Sequence, residues 1–256
     1  MKRSVTLVAT LLLTATGPAQ AHFLELIPST DIVTADSGAT VTFTIAFTHP
    51  MAGGPLMEMA PPAQFGVLLD GQKQELTAQL KAIKIDDKTT YETAYTIKQP
   101  ADHVFYLEPT RYWEPAESKY ITHYTKVIVD GFGAETGWDQ LVGFPVEIEP
   151  LVRPYGLWTG NTFRGVVKQD GQPVPFAAIE VEYRNEGGRV TIPADPFITQ
   201  VIKADASGTF SYTMPRAGWW GFAALIDSSA PVQGPGGEDA GHELGALLWV
   251  KTVDMR

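Results

Sequence analysis

A chain of 256 residues with 19 lysines and arginines against 29 aspartates and glutamates carries a formal charge of −10. Such an acidic surface repels phosphate, which argues against nucleic acid and anionic membranes as partners. Cysteine is absent, so disulfides, thiolate metal sites and cysteine nucleophiles are excluded and stability has to come from burial.

In chain order, residues 1–21 read as a secretory signal peptide. Lys2 and Arg3 form a basic head, and the uncharged apolar run Val5–Gly17 is short against the ~20 residues of a spanning helix. Ala19 and Ala21 fit the small-residue cleavage pattern, placing the cut between Ala21 and His22. The expected product is periplasmic, with no membrane insertion after cleavage. Loss of Lys2 and Arg3 takes the formal charge from −10 to −12.

The rest reads as β-structure. In "TVTFTIAFTHP", Val41, Phe43, Ile45 and Phe47 alternate with threonines, the period of a half-buried strand. "FGVLLDGQKQEL" is a strand running into an Asp70-Gly71 turn. "YETAYTIKQPADHVFYLEP" gives two strands around Pro100. "YITHYTKVIVDGF" gives another, with His123, Val127 and Val129 on one face and Tyr124 and Lys126 on the other. "FPVEIEPL" closes the first half, with Glu147 and Glu149 expected on an outer, solvated face.

The pattern then restarts. After an Asp170-Gly171 turn, Ile179, Val181 and Tyr183 alternate with Glu180, Glu182 and Arg184. Phe210, Tyr212 and Met214 mark a further strand. "GWWGFAALI" and "GALLWVKTV" read as buried strands, which makes Trp219 and Trp220 core residues rather than a sugar platform. "GPGGEDAG" reads as a mobile loop. Without a long amphipathic helix, the fold class is all-β, two β-sandwich domains: 22–152 and 158–256, divided where prolines and glycines cluster in Pro150–Gly160.

Chemistry concentrates on the five histidines. Cleavage at Ala21 would free an α-amine on His22 beside its imidazole. With reference pKa values of ~7.7–8.0 and ~6.5, both groups deprotonate near neutrality. Two nitrogens on one residue suit nickel and copper. His49 continues the core-facing series of its strand and needs a partner or a ligand. His123 is similar; for both, a structural role and a ligand role stay open. His103 and His242 have weaker claims. Met57 and Met59 are open as soft ligands, while Met51 reads as packing. Glu114 and Glu117 could orient a ligating imidazole. No Gly-x-Ser-x-Gly, His-Glu-x-x-His or phosphate loop is present, and no enzymatic activity is expected.

Several stretches together resemble an uncharacterised periplasmic family associated with nickel or cobalt uptake. They are His22 after the leader, "THP", "YWEPAESKYITHYTK", "RPYGLWTGNTFRG", "DGQPVPFAAIEVEY", "KADASGTFSYTMPRAGWWGFAAL" and "LGALLWVK". The resemblance implies a transthyretin-like or carboxypeptidase-regulatory sandwich in the second half and a metal site in the first. Carried over by position, the ligands are His22, His49 and His123. The leading expectation is therefore a periplasmic protein that binds Ni(II) or Co(II) as cargo and passes it to an inner-membrane metal importer. Two alternatives stand beside it: a Cu(II)-binding histidine-brace protein, carrier or oxidative enzyme, and a metal-free adhesion or carbohydrate-binding module.

Overall fold

The computed structural model describes residues 22–115 and 117–255; the expected signal peptide lies outside the described residues. Among the described residues, regular structure is strand, apart from three single turns of 3-10 helix. The strands form three layers. The first is antiparallel: β1 (Phe23–Pro28), β3 (Thr40–Thr48), β7 (Lys88–Thr96) and β6 (Lys81–Ile85), in that order. Alternate burial of Val41, Phe43, Ile45 and Phe47 along β3 puts their side chains inward, while Thr42 and Thr44 face water.

The middle sheet has its strands in the order β16 (Gln200–Lys203), β15 (Ala178–Tyr183), β18 (Gly218–Asp227), β20 (Asp239–Val253), β10 (Lys119–Gly131), β8 (Ala101–Glu108), β4 (Gln64–Leu69) and β5 (Gln72–Glu75). Short strands add to it: β2 (Ile32–Val33) pairs with the end of β10 and β9 (Tyr112–Glu114) with its start, while β12 (Leu157–Trp158) and β19 (Val232–Gln233) pair with β20. The third layer is β11 (Val146–Pro150), β13 (Thr162–Gln169), β14 (Gln172–Pro173) and β17 (Thr209–Thr213). Hairpin turns follow their sequence: Asp70 and Gly71 both take positive φ, 48° and 74°, the requirement of a type I′ turn whose twist matches the strands it joins.

The middle sheet is covered on both faces. One apolar cluster packs Val127, Val129, Leu247 and Trp249 under β1 and β3; the other packs Ile128, Ile179, Phe222 and Leu248 against the third layer. The chain is thus all-β, with sandwich-like pairings sharing a central sheet. Strands from before and after residues 152–158 meet in that sheet, where β10 and β20 run parallel from Lys119↔Gly241 to Val127↔Trp249.

Double coverage overturns one sequence expectation. Glu147 is not solvated: it is 4% exposed and Lys126, on the face of β10 opposite His123, is 1% exposed. Lys126 Nζ donates to Glu147 at 2.6 Å, and the N–H groups of Val142 and Gly143 donate to the same carboxylate at 2.7 and 3.0 Å. Polar alternation marks a solvent face only when the second face has no partner sheet. The "GPGGEDAG" stretch forms a hairpin closed by Gly234 N–H to the Glu238 carbonyl at 2.8 Å, leading into β20.

Candidate metal centre

The first two histidines are brought together by strand register. β1 and β3 pair antiparallel, with Phe23 opposite Thr48. One step further along the same ladder places His22 opposite His49. Their ring centroids are 4.7 Å apart, tilted by 45°. The edge strand that carries His22 is fastened to the middle sheet: Trp249 Nε1–H donates to the Leu24 carbonyl at 2.9 Å.

His123 approaches from the middle sheet. It stands on the face of β10 that looks toward β3, with only 3% of its surface exposed. Phe47 lies between the groups, its ring centroid 5.6 Å from that of His22 and 5.9 Å from that of His123. The imidazole fits because its neighbour across the parallel pair is Gly245; a Cβ there would overlap the ring. Neither nitrogen of His123 makes a hydrogen bond. Glu243 Oε1 stands 3.5 Å from Nε2, too far for a good one.

Two carboxylates border the histidines. Glu114, on β9, puts Oε2 3.4 Å from His22 Nε2. Glu243 is bound by Lys119 Nζ at 2.6 Å. Burial works against the Glu243 carboxylate, but His123 and Lys119 outweigh it and hold its pKa at about 2. Glu117 pairs with Lys119 and is close enough to act electrostatically on His22. For His22, burial is the largest influence and His49 adds to it; together they outweigh Glu114 and bring its pKa down to about 4. The imidazole is therefore neutral at physiological pH, the form that binds metals.

Other expected candidates lie apart from this arrangement or at its edge. His103 is wholly buried in β8, its Nδ1 2.9 Å from the Ala101 carbonyl and its ring against Tyr95 and Phe105. His242 is half-buried, with Nε2 2.8 Å from Thr122 Oγ1. Met51 is buried, its N–H bonded to Glu182 at 3.1 Å. Met57 bridges to Phe47 through the backbone, and Met59 lines a cavity beside His123. The sequence reading missed Glu243, Gly245 and Phe47. Each depends on the β10–β20 or β1–β3 register, and a glycine opposite a buried histidine is the one signal that could have pointed to the pairing.

Among the described residues, no three His, Cys, Asp or Glu side chains form a ready metal-holding group. The side chains here supply two touching imidazoles and a third with unused nitrogens nearby.

A family described as "Domain of unknown function (DUF4198)" matches residues 19–228, and the chain belongs to that family. A search of curated proteins finds no match. Solved structures that align with it include the I9-I11 tandem from titin, at 10% identity and TM-score 0.23, covering 89% of this chain and 66% of that one. The native conformation of E. coli alpha-2-macroglobulin aligns at 10% identity and TM-score 0.24, covering 91% and 14%. A two fibronectin type-III domain segment from chicken tenascin aligns at 13% identity and TM-score 0.20, covering 90% and 98%. Superpositions this loose add nothing to the fold read from the strands themselves.

Proposed function

We propose that this member of the DUF4198 family is exported, loses residues 1–21, and binds Ni(II) or Co(II) in the periplasm for delivery to an inner-membrane importer. The observation that carries the reading is convergence. His22 and His123, 101 positions apart in the chain, flank the ring of Phe47, and His49 lies against His22.

Cleavage would supply the donor that the side chains lack. In a free N-terminal histidine the amine and Nδ1 can close a small chelate ring on one ion, whereas Nε2 points away from the amine. Nε2 of His22 is the atom that faces Glu114. A carboxylate at the non-ligating nitrogen fixes the tautomer and raises ligand basicity, the usual role of an outer partner. His49 and His123 would add imidazoles suited to late divalent metals. The protein would catalyse nothing; affinity and release would be its function.

The test compares the chain beginning at His22 with one carrying a single glycine before it. The extension turns the amine into an amide and leaves every side chain in place. Nickel affinity by isothermal titration calorimetry should fall by more than the ~10–100-fold that loss of an outer partner costs. Equal affinity in the two proteins would overturn amine chelation.

A further inference from the structure

Next to the histidines is a cavity of about 590 Å³, within the size range of small-molecule sites. Its walls come from separate elements: Phe47 on β3, Tyr91 on β7, Tyr112 and Trp113 on β9, and Ile121 on β10. Strand residues and aromatic rings form one part of its wall, and the loop residues 58–61 and 109–111 form the other. We propose that this cavity binds a small organic anion with an apolar body, its acid group lying between Arg111 and His123.

The charge pattern selects the anion. Arg111 is exposed in the lining, its guanidinium 4.7 Å from the Tyr120 ring centroid. Among the described residues, no carboxylate lies within ion-pair distance of it. His123 also lines the cavity, buried; its Nδ1 has no hydrogen bond, and its Nε2 stands 3.5 Å from Glu243, a carboxylate that Lys119 already holds at 2.6 Å. Glu58, the carboxylate of the lining, is already engaged: the Thr89 N–H donates to it at 2.8 Å, the Thr89 hydroxyl donates as well, and Lys84 Nζ is 3.5 Å away. A ligand acid group is therefore repelled at the Glu58 end and attracted at the Arg111 end. The apolar walls accept a ring or short chain, and burying that body supplies the driving force.

His123 belongs both to this cavity and to the proposed metal site. On that reading, which this part of the inference rests on, a bound carboxylate would stand beside the ion, and metal and organic acid would bind with positive coupling. Coupling is reciprocal, so either ligand should tighten the other by the same factor.

The test uses the chain beginning at His22 and the probe 2-naphthoate, with neutral 2-naphthamide as control. Calorimetry should show one naphthoate per chain, with naphthamide at least tenfold weaker. Ala60 is an exposed lining residue, so Ala60→Trp should fill the cavity and abolish binding while leaving thermal unfolding unchanged. Arg111→Gln should weaken naphthoate about tenfold and leave naphthamide unaffected. Prior nickel loading should tighten naphthoate several-fold. No naphthoate binding, or binding indifferent to both substitutions, overturns the cavity proposal even where nickel binds. Equal affinity for the neutral probe overturns the anion assignment. Naphthoate binding without nickel binding supports the cavity and overturns the metal reading instead.

Discussion

His103 and His123 occupy neighbouring strands of the same sheet, both are buried, and each is accommodated by a glycine on the strand beside it. Gly131 leaves room for His103, since a Cβ there would stand 3.1 Å from its Cε1 and 2.8 Å from the Ala101 oxygen. Gly245 does the same for His123. The two differ in their partners. His103 uses Nδ1 on a backbone carbonyl two residues away and is boxed in by Tyr95 and Phe105. His123 has no hydrogen bond on either nitrogen and opens toward His22, Phe47 and the cavity. Burial is therefore common to both, and so is a nitrogen without a hydrogen bond, since His103 Nε2 also lacks one; what sets His123 apart is its place beside the other histidines and the cavity.

Removing the room that each ring needs should separate the two histidines. Gly245→Ala and Gly131→Ala should each destabilise the fold by ~1–3 kcal/mol, the usual cost of forcing extra volume into a packed core. Only Gly245→Ala should abolish nickel binding, because only it displaces a proposed ligand. Urea unfolding and calorimetry on the same samples check both halves. Equal loss of nickel binding in the two variants would remove the distinction drawn between the histidines.

A second contrast concerns pH. Burial raises the pKa of Glu182 to about 7, against opposing hydrogen bonds from Thr199 and the Met51 N–H. Because the folded value lies above the unfolded one, the fold favours the protonated acid. The stability this brings is complete below pH ~4.5 and is lost as pH rises toward 7. At about 1.4 kcal/mol per pKa unit the loss is on the order of 3–4 kcal/mol. Glu182→Gln keeps both contacts and should flatten the decline between pH 4.5 and 8 in thermal or urea unfolding. Glu180, also raised to about 7, first by burial and then by Glu243, would leave a residual slope. An unchanged profile would show that Glu182 ionises freely in the fold.

Much of the fold was legible because period-two alternation and Asp-Gly turns are local signals. β3 and the Asp70-Gly71 hairpin sit where that pattern puts them. What was not legible is the parallel β10–β20 pairing, which joins residues more than a hundred positions apart. Nor was the packing of the third layer on the middle sheet, which covers a face expected to be wet and buries Lys126 and Glu147. The site divides the same way. His22, His49 and His123 could be named from the sequence; the rings of His22 and His49 lie 4.7 Å apart, and those of His22 and His123 flank Phe47. Glu243 and Gly245 could not, since they matter only through a register no local pattern encodes.

The smallest expected effects separate the two histidines most cleanly, because their signs differ. His103→Leu removes the Nδ1 hydrogen bond and leaves the Ala101 carbonyl short of a partner, at ~1 kcal/mol. Nickel affinity should not change. Burial lowers the His103 pKa, with the Ala101 bond opposing, so its contribution to stability is complete above pH ~6.5 and lost as pH falls through the lower folded value. The variant should lose stability less steeply on acidification. His123→Leu removes an Nδ1 without a hydrogen bond together with the 3.5 Å contact of Nε2 to Glu243; relief of the buried nitrogens should outweigh that long contact, so stability should hold or rise by up to ~1 kcal/mol. Its nickel affinity should fall more than tenfold. A ligand kept unsatisfied at some cost to the apo fold would give that opposition of stability against binding; a structural histidine would lose stability and leave binding alone.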